Sequence, residues 1–236
     1  MSEPTRSVVI VAGGRSRRLG RSKPFVEIGG RAILFRLLDA TSHIADRVLA
    51  VREASPFERA LRAEAWKPAV PVAGGPPGSV AFGDPAGRRL LLVSDPVPDL
   101  GPLAGLASGL EAASAPICVA LAGDLPFVSR DVVDGLGEAL AGAPEADAVV
   151  PRARDRPQPL CAAYRRDAGE VVGRLLAQQS KVGVRSPSMM SFLDRLRVRY
   201  VEAGDLPGSG NLDAITRGVD SPDDLIWAAR YAARGD

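Results

Sequence analysis

The chain has 236 residues, 46% of them hydrophobic and 25% charged, with a formal net charge of +2 at neutral pH. With so small a cationic excess, 5% aromatic residues and no extended basic stripe, a protein that coats nucleic acid is excluded. No apolar run approaches the ~20 residues that cross a bilayer, so no membrane span is expected. The polar N-terminus enters the first predicted strand too early for a signal peptide, which leads to the expectation of a cytoplasmic protein. Cys118 and Cys161 sit in apolar runs far apart in the sequence. They read as small buried hydrophobes in a reducing compartment, not as a disulfide or zinc framework.

In chain order, the first predicted strand, 7–12, breaks into Gly13-Gly14 and then Arg15, Arg17, Arg18, Arg21 and Lys23. Glycines here let backbone N–H groups approach a ligand, and five cations within nine residues would repel one another in an empty turn. A polyanion, specifically nucleotide phosphate, is the natural compensation, the alternative being a glycine-rich turn followed by a solvated basic stretch. The loop lacks the ending of a P-loop and the third glycine of the dinucleotide fingerprint. A helix follows over 32–42, with the single histidine, His43, beyond its end and outside every motif. Next come a strand over 47–52, a helix over 56–65 and a Pro- and Gly-rich stretch, 68–87, read as a long loop or flap.

The strand over 90–94 runs into Asp95, placed to accept from a ribose hydroxyl or a base edge, with a helix cap as the competing role. Gly101-Pro102 opens a helix over 103–113 whose first turn would face a ligand. The strand over 117–122 ends in Gly123-Asp124-Leu125-Pro126-Phe127. A carboxylate emerging from an apolar strand needs a partner, and Mg²⁺ carrying nucleotide phosphates supplies one; the alternative is an aspartate bonding its own loop backbone. A helix over 130–141, strands over 148–152 and 160–164, helices over 168–179 and 188–196, a strand over 198–202 and a helix over 222–233 complete the chain. Ser221-Pro222 reads as the N-cap and first position of that last helix. Asp220 before it is either part of the cap or a second metal carboxylate.

Near-continuous apolar strands alternating with helices predict an α/β fold. Its form is a three-layer, doubly wound, mostly parallel sheet of Rossmann-like kind, in a single domain spanning 1–236. Ligands of such sheets bind outside the carboxyl ends of the strands, where these residues fall.

With the VAGG start, Arg18-Leu19-Gly20, Lys23, Gly101-Pro102-Leu103-Ala104-Gly105 and Asp124-Leu125-Pro126-Phe127, the chain resembles the molybdenum cofactor guanylyltransferase family of the nucleotidyltransferase fold class. The likeness runs from Val8 to about Tyr231, and Gln158–Arg165 is similar to the family's central segment facing the pterin substrate. The resemblance implies that Val11, Ala12 and Gly13 contact the guanine nucleotide, with Gly14 and Gly101 beside them. It further implies that Lys23 contacts the phosphates, Asp95 the nucleoside, and Asp124 both nucleotide and Mg²⁺. Two elements depart from the family pattern. Gly218-Val219-Asp220-Ser221-Pro222 stands in place of Asn-x-Asn-Thr-Pro, and Val51-Arg52-Glu53 in place of an asparagine.

The implied reaction moves GMP from GTP onto the terminal phosphate of molybdopterin, releasing pyrophosphate. The attacking phosphate oxygen is already ionised, so no side-chain nucleophile is needed, and Arg18 and Lys23 would draw off charge at the leaving group. CTP or another phosphorylated acceptor, and a non-catalytic nucleotide-binding relative, are the alternatives.

Overall fold

The computed structural model describes residues 5–12, 22–69, 76, 78–94, 101–180, 187–202, 204–208 and 210–234. Strand β1 (Arg6–Val11) is followed by a 3-10 turn at Lys23–Phe25, a small hairpin of β2 (Glu27–Ile28) and β3 (Arg31–Ala32), helix α1 (Ile33–Ala40) and β4 (Asp46–Val51). Helix α2 (Ala54–Ala63), β5 (Lys67–Ala69), β6 (Val80–Gly83), β7 (Arg89–Ser94), α3 (Pro102–Ala112) and β8 (Ile117–Ala122) come next. Helix α4 (Arg130–Ala141) leads to β9 (Ala148–Ala153), β10 (Arg156–Pro157) and β11 (Cys161–Arg165). The chain ends with α5 (Ala168–Ser180), α6 (Met189–Leu193), β12 (Val198–Val201), α7 (Leu212–Ile215) and α8 (Pro222–Ala232).

The sheet order is β10-β9-β11-β8-β1-β4-β7-β6-β5, with β12 paired to β9. Its centre, β8-β1-β4-β7, is parallel, while β11 runs antiparallel to both β8 and β9. The chain steps from β1 outward through β4 to β7, then returns through α3 to place β8 on the other side of β1. The carboxyl ends of β1 and β8 therefore flank the reversal of strand order, where doubly wound sheets open a crevice for ligands.

Alternation along β1 sorts its side chains between two apolar layers. Val8 and Ile10 pack with Leu34 and Leu37 of α1, Leu61 of α2 and Leu136 of α4, whereas Val9 and Val11 pack with Leu103, Leu106 and Leu110 of α3 and Val172 of α5. Burial on both faces is why these strands read as continuous hydrophobic runs. Helix α3 lies very close to the sheet: a Cβ added at Gly109 would stand 2.1 Å from Val9 Cγ1. The mostly parallel three-layer fold is thus the observed one.

Some boundaries differ from expectation. The 68–87 stretch, read as a loop or flap, contributes the end of β5 and all of β6, which pair antiparallel and extend the sheet beyond β7. Ala81 and Phe82 are buried there, and the surrounding Pro and Gly density hid this short apolar run. The helix expected over 188–196 is one turn, 189–193, and α7 and β10 carried no periodic signal because each spans four residues or fewer. Among the described residues, no helix is long and apolar enough to cross a membrane.

Candidate active site

Main-chain bonds continue past the strand ends. Ala12 N donates to Ala50 O at 2.8 Å, Gly123 N to Val11 O at 2.8 Å and Ala122 N to Leu160 O at 2.7 Å. These bonds hold the turn carrying Asp124 against the end of β1. Val11 and Ala12, both buried, lie at that end.

A second segment is strapped across the turn: Val219 N donates to Asp124 O at 3.2 Å. Glycine at 218 permits the approach, since a Cβ there would stand 3.0 Å from Asp124 Oδ2 and 3.1 Å from its Cγ. The strap delivers Asp220 to the same place. Lys23 Nζ donates to Asp124 Oδ2 at 3.0 Å and also to Asp220 Oδ1. Buried Pro24 anchors the 3-10 turn that Lys23 opens. The Lys23 side chain is 20% exposed and that of Asp124 21%, whereas Asp220 is 58% exposed. Burial disfavours the Lys23 ammonium, yet the hydrogen bonds and charges of Asp220 and Asp124 outweigh it and hold its pKa above the ordinary lysine value.

The helix cap falls to other residues. Asp224 N donates to Ser221 Oγ at 3.2 Å, and Asp224 Oδ2 accepts from Ser221 N at 3.1 Å and Asp220 N at 3.2 Å, a capping box that uses only the backbone of Asp220. The Asp220 carboxylate is therefore not part of the cap and pairs with Lys23 beside Asp124. Arg217 locks the strap from behind: its Nη2 donates to Asp224 Oδ1 at 2.8 Å and its guanidinium lies 4.3 Å from the centre of the Trp227 ring. Burial would raise the Asp224 pKa, but bonds from Ser221, Arg217 and the Asp220 backbone bring it below the usual carboxylate range. Sequence reasoning missed Arg217; its position four residues before the cap was the available signal.

Gly101 caps the N-terminus of α3 with φ of +77° and no side-chain bond, beside Pro102 at the first helical position. Gly105 of the same helix faces Val11 and Ala50, which puts that N-terminus near the carboxyl edge. Gly13, Gly14, Arg18 and Asp95 lie outside the described residues. Beside the strap, Arg154, Arg156, Gln158, Thr216 and Arg217 line an open cavity of about 430 Å³. His43 stands away from the site, with Nε2 3.0 Å from Asp134 Oδ1. Both cysteines are buried, and burial pushes their thiols up to about 12.

For a metal, the donor set is two carboxylates already sharing one cation. Among the described residues no group of three or more His, Cys, Asp or Glu is placed to cage an ion. Two hard oxygen donors completed by substrate phosphates is the mode that suits Mg²⁺, which keeps waters and seldom uses an all-protein cage.

A sequence model described as the MobA-like NTP transferase domain matches residues 8–197. A probable molybdenum cofactor guanylyltransferase of Bacillus licheniformis is 32% identical over 196 residues, 83% of each chain. One from Pelotomaculum thermopropionicum is 27% identical over 222 residues, 93% of this chain and 90% of that one. Among solved structures, molybdopterin-guanine dinucleotide biosynthesis protein A of Archaeoglobus fulgidus shares the fold, with a TM-score of 0.71, 24% identity and coverage of 97% of this chain and 99% of that one. Together with the α/β sheet and the residues gathered at its switch point, these matches make the chain a member of the MobA-like NTP transferase family, a nucleotidyltransferase of molybdenum cofactor biosynthesis.

Proposed function

We propose that the protein is a Mg²⁺-dependent guanylyltransferase that joins GMP from GTP to the terminal phosphate of molybdopterin and releases pyrophosphate. The observation that carries this reading is the meeting of Lys23, Asp124 and Asp220 at the carboxyl ends of β1 and β8. Asp124 and Asp220 would hold the metal, whose bound charge would neutralise the triphosphate and favour departure of pyrophosphate. Val11, Ala12, Gly13, Gly14, Gly101 and Asp95 are assigned to the nucleotide, and Arg18 and Lys23 to the phosphates.

The chain's own residues have positioning and charge to supply. Acceptor phosphate is anionic at neutral pH, so attack on the α-phosphorus requires no nucleophile from the protein. The buried, protonated thiols of Cys118 and Cys161 offer none. Lys23 stabilises charge accumulating on the leaving pyrophosphate. The cavity lined by Arg154, Arg156, Gln158 and Asp213 adjoins the strap that bears Asp220; Arg154 is paired with Asp213, and Arg156 supports a phosphorylated acceptor there.

The test is pyrophosphate release with GTP, Mg²⁺ and molybdopterin, alongside melting curves with GTP, CTP, ATP and UTP. GTP is expected to give the largest stabilisation, roughly 2.7 kcal/mol at a hundred times its dissociation constant. A larger shift with CTP would overturn the guanylyl assignment, and GTP binding without pyrophosphate release would overturn the transferase one.

A further inference from the structure

One ammonium bridges two carboxylates drawn from distant parts of the chain, 101 and 197 residues from Lys23 in sequence. The main chain of each acidic residue is held by neighbours other than Lys23: Asp124 in the turn after β8, and Asp220 on a strap pinned at Val219 N and closed by the Ser221–Asp224 box. The backbone therefore brings the two acidic residues to one place independently of the lysine. Two like charges so placed repel, and a cation between them is required. Lysine suits a temporary occupant, because its ammonium is a compact point charge on a flexible stem with no demand for a planar fork.

Resting on the reading that Asp124 and Asp220 hold the metal, we propose that Lys23 is a tethered stand-in for the divalent cation, displaced onto the triphosphate when metal and nucleotide arrive together. Free Mg²⁺ must remove the ammonium and shed water for only two ligands, a poor exchange for an ion that dehydrates reluctantly. A metal–triphosphate complex brings its own oxygen ligands and gives the displaced ammonium a new anionic partner. One side-chain movement then couples metal entry to the grip on the phosphates, and the carboxylates face a cation in both states.

The experiment is titration of nucleotide-free protein with Mn²⁺ followed by electron paramagnetic resonance, which reads free metal without any turnover. Lys23→Met is expected to bind Mn²⁺ about tenfold or more tightly than wild type, and Lys23→Arg, which keeps the charge, to stay close to wild type. Lys23→Gln replaces the methionine variant if melting curves show that the latter is unfolded. Equal Mn²⁺ affinity in wild type and Lys23→Met, with Asp124→Asn still weakening Mn²⁺·GTP binding to wild type, would overturn the stand-in role alone. If adding Asp124→Asn or Asp220→Asn to Lys23→Met leaves its Mn²⁺ affinity unchanged, the two carboxylates are not the ligands and the underlying reading fails instead.

Discussion

Two charge clusters on the same sheet are built on opposite ratios. Around Asp134 of α4, one carboxylate accepts from three donors: Arg6 Nη1 at 2.9 Å, His43 Nε2 at 3.0 Å and Arg130 Nε at 3.4 Å. Around Lys23, one ammonium serves two carboxylates. The first cluster is saturated with donors and ties β1, the turn after α1 and α4 together, which is what a structural network requires. Among the described residues the second carries two carboxylates to one cation and lies at the switch point of the sheet, the condition in which an added divalent cation lowers the free energy most. Which side is in excess, rather than the presence of ion pairs, separates a staple from a candidate site.

The largest expected effect is on Asp124. Asp124→Asn is expected to lower Mg²⁺-dependent pyrophosphate release by about a hundredfold or more. Its melting temperature should stay near that of wild type; equal turnover, or collapse of the fold, would place Asp124 with the staples. Lys23→Ala comes next. Its kcat/KM with GTP is expected to fall by about one to three powers of ten, measured at subsaturating nucleotide. The raised pKa of Lys23 means that its ion pairs stabilise the fold fully below the unfolded value near ~10.4. That contribution fades as pH rises through the folded pKa, so wild type and variant should converge in melting temperature in strong alkali.

Asp220→Asn is a finer cut, because Asp220 is the exposed partner. Apparent Mg²⁺ affinity in the GTP reaction is expected to drop about tenfold with little change in melting temperature. Ser221→Ala should do the reverse, costing about 1 kcal/mol of stability with the metal dependence unchanged. A loss of stability in Asp220→Asn with no metal effect would return that residue to the cap.

The smallest effect belongs to the saturated cluster. Burial would raise the Asp134 pKa, but His43, Arg6 and Arg130 bring it below the usual value. Its contribution is therefore present above the unfolded value of ~3.9 and lost as pH falls through the folded one. Asp134→Asn is expected to cost about 1 kcal/mol at pH 7, with its denaturation midpoint merging with that of wild type in acid, and to leave GTP turnover intact. A turnover defect there would erase the distinction between the clusters.

The parallel core was legible because burial on both faces forces its residues to be apolar in a row: β8 was expected and found at 117–122, and α4 at 130–141, where the structure adds Ser129 as the N-cap. The chemistry of single residues was legible too, since a carboxylate leaving an apolar strand demands a partner wherever the chain goes next. What sequence left open was which partner. Asp220 had two local explanations, and only the tertiary strap, admitted by glycine at 218, turns its carboxylate to Lys23 while Asp224 completes the cap. The edge strand β6 was hidden for a related reason: it gains its hydrogen bonds from β7 and β5, so its short apolar run means nothing until those neighbours are in place. Periodicity and stranded charge are written locally along the chain; pairing across it is decided by backbone closure, which no local pattern encodes.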